Sequence, residues 1–388
     1  MQMGREYVRL QDHRATSMIQ GENTYSNWLE IDLGAIENNI RWFLRNTGVE
    51  VMAVVKANAY GHGAVPVAQA ALRAGATWCG VARIDEALEL RRAGLDCPIL
   101  LLGFTPAGRV QEAIAERISL TVWSAEQIML ALTVAQRVGQ PARLHLKVDT
   151  GMSRLGAQPE EAQALAIQLS NLPGITFEGL FTHFARADEA DRSTTERQET
   201  TFRQVLSVLD AKGLRPPLVH AANSAAGLTR PSAYFSLVRA GIAIYGLHPS
   251  KECPLPEEFR PALSWKAALS QVKVLPPGRG LSYGHEYTTR TVERIGTLPA
   301  GYADGLRRVK GNQVLVAGRR VPVVGRVCMD QALLQLDGVP HARPGDEVVL
   351  IGTQEAERIS AEEVARRWST INYEVVCGIG PRVPRLYF

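Results

Sequence analysis

The chain has 388 residues, 46% of them hydrophobic, with 43 basic and 39 acidic side chains and a formal net charge of +4. A balance this close to neutral, with no dense run of Lys and Arg, argues against nucleic acid as a partner. No apolar run reaches the roughly 18 residues that cross a bilayer, and the five scattered cysteines form no C-x-x-C or zinc-like spacing.

In chain order, residues 1–27 carry Arg5, Arg9, Asp12, His13 and Arg14 and lack the apolar centre of a signal peptide. They read as a polar extension of a cytoplasmic protein with free thiols. Residues 28–256 alternate short apolar runs with amphipathic stretches. The runs are "VMAVVK", "WCGVAR", "CPILLLG", "ISLTVW", "RLHLKVD", "ITFEGLFTH", "PLVHAAN" and "GIAIYGL". Continuous apolarity of this kind suits parallel strands covered on both faces. Between them Ser124 stands before one helical pattern and Pro159 opens another, and Gly75, Gly94, Gly139 and Gly213 stand where helices end. About eight such units predict a (β/α)8 barrel.

The pattern changes over residues 257–388, beyond the Pro-containing "ECPLPEEFRP". Period-2 stretches such as "QVLVAG" and "VPVVGRV" flank a turn at Gly318-Arg319 and predict a mainly antiparallel β domain. Ser360 and Glu363 predict a capping box at the start of "AEEVARRW".

In a barrel, catalytic groups gather at the C-terminal ends of the strands. Those ends read Lys56, Arg83, Lys147 with Asp149, His183, Asn223 with Ser224, and Tyr245. Each alone also fits a polar residue marking where a buried strand surfaces; together on one rim they point to a site. Lys56, at the end of an apolar strand, would be partly desolvated, which lowers an amine's pKa. A neutral amine attacks an aldehyde to form a Schiff base and can later accept a proton. "NSAAG" puts Asn223 and Ser224 at a helix start, which favours an anion, and Gly241 and Ile242 offer further backbone donors. A lysine beside a phosphate cup suggests pyridoxal 5′-phosphate.

The segments "VVKANAYGHGA", "HLKVDTGMSRLG", "FTHFARAD", "HAANSAA", "VRAGIAIYG", "LSYGHEYTT", "GYADGLRR", "VGRVCMDQ" and "INYEVVCGIGPRVPR" resemble, in this order, signature segments of bacterial alanine racemases. The likeness runs from about Trp28 to Phe388. The first segment is shared with other lysine-Schiff-base barrels, whereas "GYADG" and "CMDQ" are more specific. One departure is Pro381, where many relatives carry another residue.

The resemblance implies a pyridoxal phosphate barrel followed by a β domain, working as a head-to-tail homodimer with shared active sites. Its reaction would interconvert L- and D-alanine and supply D-alanine for peptidoglycan. Lys56 would hold the cofactor and act as base on one substrate face. Tyr283, from the other subunit, would be the acid/base on the opposite face, hydrogen-bonded by His183. Tyr60, Ser224, Gly241, Ile242 and Tyr373 would hold the phosphate, next to Asn223. Arg154 would contact the cofactor's phenolic oxygen and the substrate, and the Met329 N–H would bind substrate carboxylate. Asp188, Tyr302, Arg308 and Arg326 match residues of the corridor that leads substrate in.

Arg239 would face the pyridine nitrogen. A guanidinium, with a pKa above about 12, does not readily give up its proton. The ring then stays a weaker electron sink, which favours racemisation over transamination or decarboxylation. Lys147 matches a lysine that several relatives carbamylate; an ion pair with Asp149 is the alternative. His62 and Asp304 read as structural, and Cys328 as a packed thiol. Other readings are a racemase of serine or another small amino acid, a related barrel decarboxylase, and a non-catalytic pyridoxal phosphate carrier. Arg239 and "CMDQ" suit the decarboxylase poorly, and a carrier would be a lone barrel.

Overall fold

The computed structural model describes residues 25–388, so residues 1–24 of the polar extension lie outside it. Strand β1 (Asn27–Ile31) belongs to the C-terminal sheet: it pairs antiparallel with Leu263–Ala268 and parallel with Arg385–Tyr387. Asp32 then accepts the Ala35 N–H at 2.8 Å and caps the helix Leu33–Thr47.

Eight strands follow: β2 (Glu50–Val54), β3 (Trp78–Val81), β4 (Ile99–Leu101), β5 (Ser119–Val122), β6 (Ala142–Lys147), β7 (Ile175–Phe181), β8 (Leu218–His220) and β9 (Leu237–Ala240). Each pairs parallel with the next from β2 to β8, and β9 lies beside β2. The ring closes between β8 and β9 through the Ser236 N–H to the Val219 carbonyl and the Arg239 N–H to the Ala222 carbonyl, both 3.0 Å. Met52, Trp78, Leu100 and Leu237 cluster in a separate buried core on the four neighbouring strands β9, β2, β3 and β4, as expected of a filled barrel rather than a pore. The helices Ala125–Val138 and Pro159–Asn171 begin where Ser124 and Pro159 predict.

Most of the remaining strands form a mainly antiparallel sheet around β1. Its order is Gln271–Leu275, Glu293–Leu298, Ala332–Gln335, Arg319–Val324, Gln313–Val316, Glu347–Gln354, Leu263–Ala268, β1 and Arg385–Tyr387. The fold is therefore the expected barrel with a mainly antiparallel β domain.

Three local expectations are corrected. "GIAIYGL" is not the eighth strand; that strand is "LVRA", and Ile242–Tyr245 is a 3-10 turn after Gly241. A fully buried apolar run carries no period by which strand and turn can be told apart. Tyr245 accordingly ends no strand and faces no site: it is fully buried, and its hydroxyl donates to the Val54 carbonyl at 2.9 Å. The hairpin turn is Ala317-Gly318, with φ of +47° and +66°, one residue earlier than expected. Ser360 accepts the Glu363 N–H at 3.2 Å, but the Glu363 carboxylate pairs with Arg320 and Arg367, so half of the capping box forms.

Candidate active site

Beyond β2 the backbone takes an unusual path. Ala57, Asn58, Ala59 and Tyr60 all have φ between +52° and +54°, a left-handed turn built from four non-glycine residues. Each such residue costs roughly 1–2 kcal/mol, so neighbours must hold the turn. The Glu86 carboxylate accepts the Ala57 N–H at 2.6 Å, and the Asn58 side chain accepts the Ala64 N–H at 2.8 Å. His62 Nδ1 lies 3.1 and 3.0 Å from the Ala59 and Tyr60 carbonyls, so it carries the proton and donates. A Cβ on Gly61 would lie 2.3 Å from the Val376 carbonyl oxygen, and one on Gly63 would lie 1.9 Å from the Tyr387 hydroxyl. The C-terminal segment thus clamps the turn that aims Lys56.

Lys56 opens into a cavity of about 540 Å³ at the C-terminal ends of the barrel strands. Lys147, Arg154, His183, Asp188 and Arg239 also line it. At one end Tyr60, Asn223, Ser224, Gly241, Ile242 and Tyr373 converge. Arg83, by contrast, is exposed and lines no part of it.

The convergent end gathers hydroxyls and backbone N–H groups. Asn223 accepts the Ala226 N–H at 3.1 Å and caps the short helix Ser224–Thr229. The Ser224 hydroxyl accepts the Gly241 N–H at 2.8 Å and the Ala243 N–H at 3.4 Å. A Cβ at Gly241 would stand 2.8 Å from the Tyr60 hydroxyl, so glycine there leaves room for the phenol. Burial pushes the Tyr60 and Tyr373 phenols well above their usual range, which keeps both as neutral donors. Hydroxyls and backbone N–H groups on a site rich in cations match a phosphate.

The rest of the cavity is cationic. Burial, then the Arg154 charge, lowers the pKa of Lys56, with Glu86 opposing. Lys147 is buried, and burial followed by Arg239 and Arg154 pulls it down to about 8. It makes no ion pair among the described residues. Asp149 Oδ1 instead accepts the N–H groups of Gly151, Met152 and Ser153, each at 3.0 Å. The Lys147 amine sits 5.4 Å above the Phe181 ring, a contact worth about 0.5–2 kcal/mol for a cation.

Arg239 is held most tightly. Its Nη1 donates to His220 Nδ1 at 2.8 Å and to the His220 carbonyl at 3.1 Å. Its Nη2 donates to the carbonyls of Thr182 and Ala221 and to His183 Nδ1 at 3.1 Å. Burial lowers its pKa to about 9. His183 Nδ1 can only accept from a guanidinium, so its proton is on Nε2, which has no partner among the described residues.

The cavity does not contain Tyr283, Tyr302, Arg308, Arg326 or Met329. Four of them gather on the C-terminal domain. The Ser282 hydroxyl donates to the Arg326 carbonyl at 2.6 Å and lies 3.2 Å from Cys328 Sγ. The Tyr302 N–H donates to the Cys328 carbonyl, and the Ala303 N–H to the Met329 carbonyl, each at 3.0 Å. Arg382 bridges Asp304 and Asp330, tying "GYADG" to "CMDQ". Arg326 pairs with Glu286 at 2.6 Å, and the charge of the exposed Arg308 also acts on that carboxylate. Tyr283 is 70% exposed and Met329 53%. Ser282 holds φ +60° and ψ −172°, a conformation almost confined to glycine. Such strain beside an exposed phenol marks a positioned group.

Residues 31–249 match the family described as alanine racemase, N-terminal domain, and residues 262–387 match alanine racemase, C-terminal domain. The alanine racemase of Desulfovibrio desulfuricans is 45% identical over 93% of this chain and 97% of its own length. That of Symbiobacterium thermophilum is 47% identical over 93% and 96%. The chain belongs to the alanine racemase family. Among solved structures, alanine racemase from Streptomyces lavendulae has a TM-score of 0.90 at 41% identity, covering 95% of this chain and 98% of that one. Alanine racemase from Bacillus anthracis, solved with bound L-Ala-P, has a TM-score of 0.88 at 43% identity, covering 95% and 96%.

Four residues in or behind the cavity carry no sequence signal. Glu86 lies inside a helix, Phe181 and His220 look like strand interior, and Cys377 enters the cavity from the helix Asn372–Cys377. Only the fold brings Phe181 and Cys377 into the lining and sets Glu86 and His220 behind Ala57 and Arg239.

Proposed function

We propose that this protein is a pyridoxal phosphate-dependent racemase that interconverts L- and D-alanine, with each site completed by a second copy of the chain. The observation that carries this reading is the meeting of Lys56 and Arg239 with a hydroxyl and N–H cup in one cavity. The residues fit the cofactor: Lys56 offers an amine of lowered pKa, Tyr60, Ser224, Gly241, Ile242 and Tyr373 would hold its phosphate near Asn223, and Arg154 would reach its phenolic oxygen. When bound, the cofactor would supply an electron sink that acidifies the substrate's α-proton.

The chain's own groups then divide the work. The Lys56 amine, partly neutral, removes or returns a proton on one face of the α-carbon. Racemisation requires a second proton carrier on the other face, and Tyr283 of the partner subunit fills that role. The free His183 Nε2–H is suited to donate a hydrogen bond to that phenol's oxygen and stabilise it as the proton leaves. Arg239, engaged by five acceptors, keeps its protons and would leave the cofactor's ring nitrogen without one. The Met329 N–H would hold the substrate carboxylate, and Asp188, Tyr302, Arg308 and Arg326 would line its route in. Exposure of Tyr283, Tyr302 and Met329 on one face supports burial against a second copy.

Lys147 supports a carbamate rather than an ion pair: it is buried, lacks a carboxylate partner among the described residues, and is partly neutral near pH 8. A carbamate would turn a fourth cation into an anion able to orient Arg154. The product would serve as D-alanine for peptidoglycan. Purified protein loaded with the cofactor should convert either enantiomer of alanine into the racemate, read by chiral chromatography across a panel of small amino acids. Activity confined to serine, or none toward any amino acid, would overturn the assignment.

A further inference from the structure

Below the cavity, a chain of polar side chains runs into the barrel interior. Arg239 Nη1 lies 2.8 Å from His220 Nδ1, His220 Nε2 lies 3.0 Å from His145 Nδ1, and His145 Nε2 lies 3.2 Å from Glu178 Oε2. Guanidinium nitrogens only donate, so His220 Nδ1 accepts. His220 therefore carries its proton on Nε2 and donates to His145. His145 in turn carries its proton on Nε2 and donates to the Glu178 carboxylate. Each tautomer fixes the next.

The surroundings are built around this chain. His145 and His220 are fully buried, and Phe181 stacks on His220 at 4.8 Å with the rings 7° from parallel. Burial, then the Arg239 charge, holds His220 well below its ordinary pKa. Ser119 donates its hydroxyl to Glu178, and Arg143 stands 3.6 Å away. Burial works against the charge of Glu178, yet His145, Ser119 and Arg143 together hold its pKa below the usual carboxylate range. The β6–β7 register shifts between Leu144 and His145, so that Phe177 and Gly179 face consecutive residues and Glu178 is the extra residue of a bulge. A Cβ on Gly179 would stand 2.3 Å from His145 Nδ1, so only glycine leaves room for that imidazole.

We propose that Glu178, His145 and His220 are positioning residues for Arg239. Arg239 contacts no carboxylate among the described residues, and this chain is its hydrogen-bonded route to one. The carboxylate at the far end orders the two imidazoles so that an acceptor always meets Nη1. That fixes the guanidinium plane where Arg239 lines the cavity. The proposal rests on the reading of Arg239 as the group facing the cofactor ring.

The test uses full-length, cofactor-loaded protein labelled with 15N-histidine, with His145 and His220 assigned by substitution. In the wild type both should be Nε2–H tautomers at neutral pH. Glu178→Leu removes the last acceptor; His145 and His220 should then become mixtures of tautomers, and kcat should fall about tenfold or more while KM moves within about twofold. Glu178→Gln, which can still accept from His145, should recover most of both readouts. If Glu178→Leu fails to fold, Gly179→Ala is read the same way. Unchanged tautomers with kcat within about twofold of wild type would overturn the proposal. Wild-type tautomers as expected, in a protein that racemises nothing, would instead reject the cofactor reading of Arg239.

Discussion

Lys147 shows how a single residue's surroundings set its chemistry. A buried amine near pKa 8 with two guanidiniums acting on it exists partly as free base, and only a free amine captures carbon dioxide. Protein exposed to 13C-bicarbonate should give a carbamate carbonyl resonance that Lys147→Ala abolishes and that acidification discharges. Lys147→Ala should also lower turnover about tenfold or more by freeing Arg154, with partial rescue by added small carboxylates. An identical 13C spectrum for wild type and variant would leave Lys147 an ordinary cation. Lys56 was legible because a lysine interrupting an apolar run needs a reason. His145, His220 and Glu178 were not, because a polar residue inside a strand looks the same whether it faces a helix or fills a barrel.

At the scale of the element, the left-handed turn Ala57–Tyr60 is the feature most exposed to perturbation. His62 braces it as a neutral imidazole, buried completely, with burial holding its pKa at about 4 despite two carbonyl acceptors. An unfolded histidine titrates near 6.5. Between pH 6.5 and 4 the unfolded chain therefore binds a proton that the folded chain refuses, so stability falls as pH drops through that window, by ~3 kcal/mol in all. Urea unfolding of His62→Phe should lack that part of the slope; parallel pH profiles for the two proteins would show that another group is responsible. Gly63→Ala meets the Tyr387 hydroxyl and an unfavourable φ of +102° together, and should cost about 2–4 kcal/mol. Adding Tyr387→Phe should recover the contact but not the backbone term. The glycines of "GHG" signalled a turn, but its left hand is imposed by Glu86 and the C-terminal segment, which no local pattern contains. The same limit explains "GIAIYGL": complete burial erased the periodicity that separates a strand from a 3-10 turn.

Across the whole molecule, the alternation of apolar runs made the barrel readable, and the change of period made the second domain readable. The pairing of β1 with Leu263–Ala268 was beyond reach, since nothing in five residues near the N-terminus names a partner more than 200 positions away. The largest gap between sequence and single chain is functional: Lys56 lines the cavity, whereas Tyr283, Tyr302 and Met329 stand exposed on the other domain. The proposed second copy would close that gap. Mixing Lys56→Ala protein with Tyr283→Phe protein should restore activity through hybrid dimers holding one intact site; hybrid dimers without activity would mean that each chain works alone.

The most direct measurement of the central claim is solvent deuterium wash-in to the α-carbon of L- and D-alanine, followed by proton NMR. Wild-type protein should label both enantiomers, Lys56→Ala neither, and Tyr283→Phe chiefly one of the two. No label in either enantiomer with wild type, or an equal and mild loss from both with Tyr283→Phe, would contradict a racemase that works with one base on each face.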